Sequence, residues 1–285
     1  MMVSATQLSA YSYCPRKLFI RDVLLVEEAP KKELVKGKIW HEAHDMLNKQ
    51  EESIVSSITT ADYQDIYMIY KKNYSKILRN AIIKHKSGLK EFDINMLDLF
   101  KEYWSYMAEE AKERSLRVSE FVKSKKVFGK SLWTILTPKI ISEQFFKSEK
   151  LGLSGVIDVI EIYDNKYYVP VELKTGRVPD KGIWEGHKLQ LGAYLLLLRD
   201  AGKDSTEAVL KYAGSEGRPL VMNTFLEKEI LGIISKTKSV LESLKPPPYV
   251  DNRNKCKSCQ FKETCYDTDK MNFLLEDLRK SRHKS

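Results

Sequence analysis

Asp158, Glu172 and Lys174 are residues of this chain whose types and spacing could do chemistry. Asp158 stands in GVIDVIEIY (155–163), and the other two in KYYVPVELK (166–174). Both segments are short and β-branched, and they read as the strands of a hairpin. Glu172 and Lys174 are two apart, so they share one face of their strand. The turn decides whether Asp158 joins them. A two-residue turn at Asp164-Asn165 pairs 163 with 166, sets Asp158 opposite Val171 and sends Glu172 to the other face. A three-residue turn over 164–166 pairs 163 with 167 and sets Asp158 opposite Glu172. Pro170 makes a disturbed ladder credible. Two carboxylates about 5 Å apart on a cross-strand pair suit a hard divalent cation such as Mg²⁺ or Mn²⁺. Such a cation neutralises a phosphodiester and acidifies water, and a lysine one step away stabilises the charge of the transition state. The D…E-x-K pattern alone is short, and carboxylates with a lysine neighbour are common on solvent-facing strands.

Further positions add to it. GKIWH (37–41) presents His41 on an expected helix, and imidazole suits a Mn²⁺ position. His44, His85, His187 and His283 read as ordinary polar histidines. QLGAY (190–194) sets Gln190 and Tyr194 at i and i+4 on one helix face. Arg177, Lys181 and Lys188 could hold a nucleic-acid backbone or form a solvated face, while Trp40 and Trp184 could stack on bases or pack. Sulfur supplies a second site. Cys256, Cys259 and Cys265 fall in DNRNKCKSCQFKETCY (251–266), and the fourth cysteine, Cys14, falls in YSYCPRK. Their Lys, Asn, Ser, Gln and Thr neighbours are not core company, so a four-thiolate metal or cluster site is expected.

The elements that must position these groups are legible from periodicity. Residues 4–20 start as a short helix, and 33–48 carry Leu34, Ile39, Ala43 and Leu47 near helical spacing. From about 58 to 125 the chain is polar and helical, broken at KSGLKEFD (86–93). Strands are expected at 133–146, 155–163, 166–174, 206–212 and 219–225. A helix over 183–200 follows the Glu172/Lys174 strand, and an amphipathic helix from Ile230 to Leu244 is stopped by the prolines at 246–248. The composition, 42% hydrophobic and 31% charged over 285 residues, is that of a globular protein. The formal charge of +9 favours a polyanionic partner, nucleic acid first. No secretory signal is seen, and the longest apolar run, around AYLLLL (193–198), is too short to span a bilayer. A cytoplasmic protein without a membrane partner is therefore expected, and its cysteines are then not expected to form structural disulfides.

In order, the chain shows Cys14-Pro-Arg, G-x-x-x-H at Gly37–His41, Asp158 in GVID, E-x-K at Glu172–Lys174, Q-x-x-x-Y at Gln190–Tyr194 and C-x2-C-x5-C. This combination resembles the RecB-like branch of the PD-(D/E)xK nucleases. Within it the chain is most similar to CRISPR-associated exonucleases of the Cas-four type, relatives of AddB and of the nuclease domain of the Dna-two helicase-nucleases. The resemblance covers about 1–50 and 130–267.

It implies an α/β fold with a restriction-endonuclease-like core, a mixed central sheet flanked by helices. Residues 1–285 would form a single nuclease domain, with 50–125 a helical insertion and 1–20 plus 246–267 an iron–sulfur module. It implies metal ligation by His41, Asp158, Glu172 and the Leu173 carbonyl, with Lys174 catalytic and Gln190 and Tyr194 touching DNA. Cys14, Cys256, Cys259 and Cys265 would hold a [4Fe-4S] cluster. Zinc remains the alternative, although four-Cys zinc sites usually come as two close pairs. The implied activity is exonucleolytic cutting of single-stranded DNA, often from a 5′ end, trimming spacer precursors beside CRISPR integrase proteins, with an oligomer compatible. A general DNA-repair exonuclease and a non-cleaving DNA-binding or structural subunit stand as alternatives.

Overall fold

The computed structural model describes residues 1–282. His283 and the end of the basic tail lie outside the described residues. Strand β1 (Val3–Ser4) leads into helices α1 (Ala5–Tyr13) and α2 (Pro15–Asp22). Ser4 and Gln7 form a reciprocal capping box that starts α1. Cys14 ends α1 and starts α2, its Sγ accepting from Lys17 N at 3.3 Å with Pro15 as the first helical residue. Helices α3 (Lys32–Ser56), α4 (Tyr63–Lys84), α5 (Lys86–Glu91), α6 (Met96–Lys125) and α7 (Gly129–Ile135) come next. Strands β2 (Lys139–Ser148), β3 (Leu153–Tyr163) and β4 (Tyr167–Lys174) precede α8 (Glu185–Asp200). Then follow β5 (Glu207–Tyr212), β6 (Arg218–Val221), α9 (Thr224–Glu242), α10 (Arg253–Lys257), α11 (Lys262–Tyr266) and α12 (Thr268–Arg282).

β3 is the hub of one mixed sheet. Antiparallel β2 takes one of its edges, and antiparallel β4 with parallel β1 share the other. β5 joins β4 in parallel, and antiparallel β6 closes the far edge. Successive side chains of a strand face opposite sides, and each side has its own core. Ile160, Leu210 and Tyr212 pack with α1, α2, α8 and α9, while Val159, Val171 and Leu173 pack with α3, α4, α6 and α7. α8 is buried from Leu189 to Leu198, so the AYLLLL run is a helix enclosed by protein. Among the described residues no helix is long and apolar enough to cross a membrane.

Two expectations need correcting. Residues 133–135 end α7 rather than begin a strand; Leu132 anchors that helix in the core, and Pro138 separates it from β2. The strand expected to reach 225 stops at Val221, because Asn223 caps α9 by accepting from Leu226 N at 2.9 Å. Of the two readings open for Trp40, packing holds: it is 3% exposed and packs edge-on to Tyr103.

Candidate active site

Tyr163 pairs with Tyr167, the three-residue alternative for the hairpin. Asp164 and Asn165 turn at φ 50° and 57°, and Lys166 N donates to Tyr163 O at 3.0 Å. Asn and Asp tolerate this left-handed region better than other residues with a Cβ. The ladder then runs only as far as Val159 with Val171. Beyond that pair β3 turns to β1 at Leu153 and Ser154, while β4 runs on beside β5. Asp158 and Glu172 therefore face each other where two strands fork, and Asp158 Oδ2 accepts from Leu173 N across the gap at 2.8 Å. Gly155 lets α8 close over this region: a Cβ there would lie 3.0 Å from the Tyr194 ring.

Glu172 and Lys174 point toward α8. The Lys174 ammonium donates to Glu172 Oε1 and, at 3.4 Å, to Gln190 Oε1. Gln190 Nε2 donates to Glu172 Oε1 and to the Tyr194 hydroxyl, both at 2.8 Å. From α3, His41 Nδ1 lies 3.3 Å from Asp158 Oδ1. His41, Asp158, Glu172, Leu173, Lys174, Gln190 and Tyr194 thus converge. Arg177 is exposed on the following loop, while Lys188 is engaged by Glu185 at 3.0 Å and Glu229 at 3.1 Å.

Glu143 was not anticipated. It lies between the pairs Ser142–Val159 and Gln144–Ile157, so it stands on β2 opposite Asp158 of β3. Its φ of 51° opens the ladder at that one pair. Ligand atoms of His41, Glu143 and Asp158 all lie within 4.8 Å of one another. The loop 149–152 fixes this register, and reading it as a hairpin connection would have found Glu143. A cation fits these residues. Glu172 Oε2 is buried without a hydrogen-bond partner, and a carboxylate oxygen so placed is uncommon unless something satisfies it.

Charge is unevenly shared. Burial, then the charge of Asp158, push Glu172 up to about 7 despite Lys174. Burial, then Asp158, also raise Glu143. For Asp158 burial acts upward, but the His41 contact, the Leu173 N–H and Lys174 outweigh it and lower its pKa. A carboxyl raised in the folded state favours the protonated form. Its stabilisation is present below the usual glutamate range and is lost as pH rises through about 7. With EDTA present, the melting temperature of the wild type should therefore fall relative to Glu172→Gln between about pH 5 and pH 8. Parallel profiles would remove the shift assigned to Glu172.

The sequence pattern of the PD-(D/E)XK nuclease superfamily matches residues 2–266. The chain belongs to this superfamily. Over 121 residues it is 32% identical to the CRISPR-associated exonuclease Cas4 of Rhodospirillum rubrum, an alignment covering 41% of this chain and 36% of that protein. The CRISPR-associated exonuclease Cas4/endonuclease Cas1 fusion of the same organism aligns equally, over 21% of its length. The Cas4 exonuclease of Francisella tularensis subsp. novicida is 28% identical over 121 residues, 42% of this chain and 60% of its own. The aligned part is thus less than two thirds of each relative.

A second cluster in this superfamily member lies at the chain's two ends. Cys14, Cys256, Cys259 and Cys265 line one cavity together with Tyr13, Arg16, Tyr249 and Tyr266. Arg16, 7% exposed, is the residue that sequence reasoning passed over here. Its guanidinium donates to Cys265 Sγ at 3.2 Å, Pro247 O at 2.7 Å and the Tyr249 hydroxyl at 3.3 Å. The signal was its place in Cys14-Pro-Arg, at the head of a helix that the cysteine itself caps.

Proposed function

We propose that this chain is a metal-dependent exodeoxyribonuclease that hydrolyses single-stranded DNA from a 5′ end, trimming spacer precursors in CRISPR adaptation. The observation that carries it is the fork: Asp158 and Glu172 face each other, Lys174 and Gln190 hold one oxygen of Glu172, and its other oxygen is buried and unsatisfied. His41, Asp158, Glu172 and the Leu173 carbonyl would hold Mg²⁺ or Mn²⁺, with Glu143 beside them. A bound divalent cation supplies Lewis acidity and neutralises phosphate charge. Burial opposes the Lys174 ammonium, but Glu172 and Asp158 outweigh it and raise its pKa. Lys174 thus stays charged at neutral pH, and its role is to stabilise negative charge on the phosphate rather than to accept a proton. Gln190 fixes Glu172 and Lys174 together, and Tyr194 fixes Gln190.

The four cysteines would hold a [4Fe-4S] cluster, in a module of 1–20 plus 246–267 within a single nuclease domain that carries 50–125 as a helical insertion. Supporting a cluster over one zinc ion is the sequence spacing, one distant cysteine plus C-x2-C-x5-C rather than two close pairs. Integrase proteins are the proposed partners, since one relative is by name a fusion of Cas4 to endonuclease Cas1. End-labelled single-stranded DNA should be shortened with Mn²⁺ and left intact with EDTA, duplex of the same sequence being cut more slowly. Intact single strands in Mn²⁺ would overturn the reading. Equal cutting of both forms would favour a general repair exonuclease.

A further inference from the structure

A groove of about 710 Å³ leaves the candidate site and runs to the cysteine cavity. Lys174 lines its start, Arg177 and Trp184 one wall, and Tyr13 and Lys255 its far end. Tyr13 and Lys255 line the cavity of the four cysteines as well. The two sites, formed by residues far apart in sequence, thus share one continuous surface.

The groove has the chemistry of a single-strand path. Trp184 is 46% exposed, and its indole N–H donates to Arg177 O at 3.0 Å, which pins the ring as a flat wall. Tyr13 is 40% exposed, and the Lys255 ammonium lies 4.9 Å from its ring while donating to Tyr13 O at 2.8 Å. Between them the floor is made of small groups, because α8 starts directly on α1. A Cβ on Gly186 would come within 2.5 Å of Ser9 Oγ and 3.2 Å of Ser9 O. The basic side chains are Lys174, Arg177 and Lys255, whereas Glu185 is paired with Lys188. Exposed aromatic faces alternating with cations fit unpaired bases and their phosphates. A duplex cannot offer base faces to Trp184 and Tyr13 without opening.

We propose that this groove binds single-stranded DNA, one base stacked on Trp184 and another on Tyr13, so that the strand at Lys174 passes over the four-cysteine cavity. The inference rests on the nuclease reading of Lys174 for its start point only. It gives Arg177 and Lys255 a phosphate-binding role, and makes the rim of the four-cysteine cavity one wall of the path.

Binding of a fluorescein-labelled single strand to the full chain in EDTA, followed by anisotropy, tests it apart from cleavage. Trp184→Ala and Tyr13→Ala should each weaken binding about 5- to 100-fold, the range expected for one lost stack. Trp184→Phe and Tyr13→Phe should keep most of the affinity, which a folding defect would not allow. Lys255→Gln should flatten the salt dependence by about one phosphate contact. Unchanged affinity in both alanine variants overturns the groove even if the wild type degrades single strands. Binding that needs both rings in a protein that cuts nothing supports the groove and sinks the nuclease reading. Equal competition by an acidic peptide in the wild type, lost in the same variants, would overturn the assignment to DNA.

Discussion

Asp158→Ala should lower the rate of single-strand cleavage in Mn²⁺ by about 10³-fold or more, with the fold retained. The side chain does three things at once: it accepts the Leu173 N–H at 2.8 Å, faces His41 at 3.3 Å and supplies an oxygen to the candidate cation group. Lys174→Ala should cost about 10²–10³-fold, as removal of one preorganised donor at a reacting centre does. Variants of the candidate ligands and of the lysine separate by their response to metal. Raising Mn²⁺ should partly rescue Glu143→Gln, whose oxygen is exposed and peripheral, and should not rescue Lys174→Ala, which removes no ligand. Calorimetry gives the same division: Mn²⁺ heat is lost with Asp158→Ala and kept with Lys174→Ala. Cleavage by Asp158→Ala at the wild-type rate would remove the fork from the chemistry.

The parts of this site legible in the sequence are those set by local periodicity. Glu172 and Lys174 two apart on a strand, or Gln190 and Tyr194 four apart on a helix, need no knowledge of the rest of the chain. Asp158 needed one fact more, the length of a turn, and Asp164 and Asn165 settled it by both entering the left-handed region. Glu143 needed a second register and a backbone conformation that a glutamate seldom adopts, so nothing local announced it. Trp40 packs rather than stacks for a reason that is local. Its neighbour His41 faces the site, but the next position on a helix is turned about 100° away, and Trp40 points into the core. The carboxylate partner of Lys188, Glu229, comes from another helix, α9, and local spacing does not announce it.

The stretch from about 58 to 125 reads as polar and helical, but periodicity does not say which of its polar residues are buried. Several of them are. Arg114 on α6 donates to Glu51 Oε2 at 3.0 Å, Asn48 Oδ1 at 3.1 Å and Glu110 Oε1 at 2.8 Å. Glu110 Oε2 meets His44 at 3.1 Å and Lys211 of β5 at 3.4 Å, and the Tyr70 hydroxyl donates to Glu51 at 2.8 Å. Burial opposes the charge on Glu110, but Lys211, His44 and Arg114 outweigh it and hold its carboxyl well below the usual range. His41, His44, Asn48 and Glu51 recur at threes and fours, so they share a stripe on α3. The network therefore sets how α3 is rolled, and with it the aim of His41 at Asp158.

Arg114→Met should cost about 3–5 kcal/mol in urea unfolding, because it leaves two buried carboxylates without their shared cation. Deleting the charges together should be far milder: Glu51→Gln, Glu110→Gln and Arg114→Met combined should recover much of the loss. Acid should separate the variants too. The stabilisation from Glu110 is present above the ordinary carboxylate range and lost as pH falls through its depressed folded pKa. Without Arg114 that loss should begin at higher pH. A single variant within about 1 kcal/mol of wild type would mean that solvent reaches the network and screens it. If the stability cost appears and Mn²⁺ binding weakens with it, the roll of α3 links the helices to the site. If stability falls while Mn²⁺ affinity at Asp158 stays unchanged, His41 is aimed by the sheet contact alone.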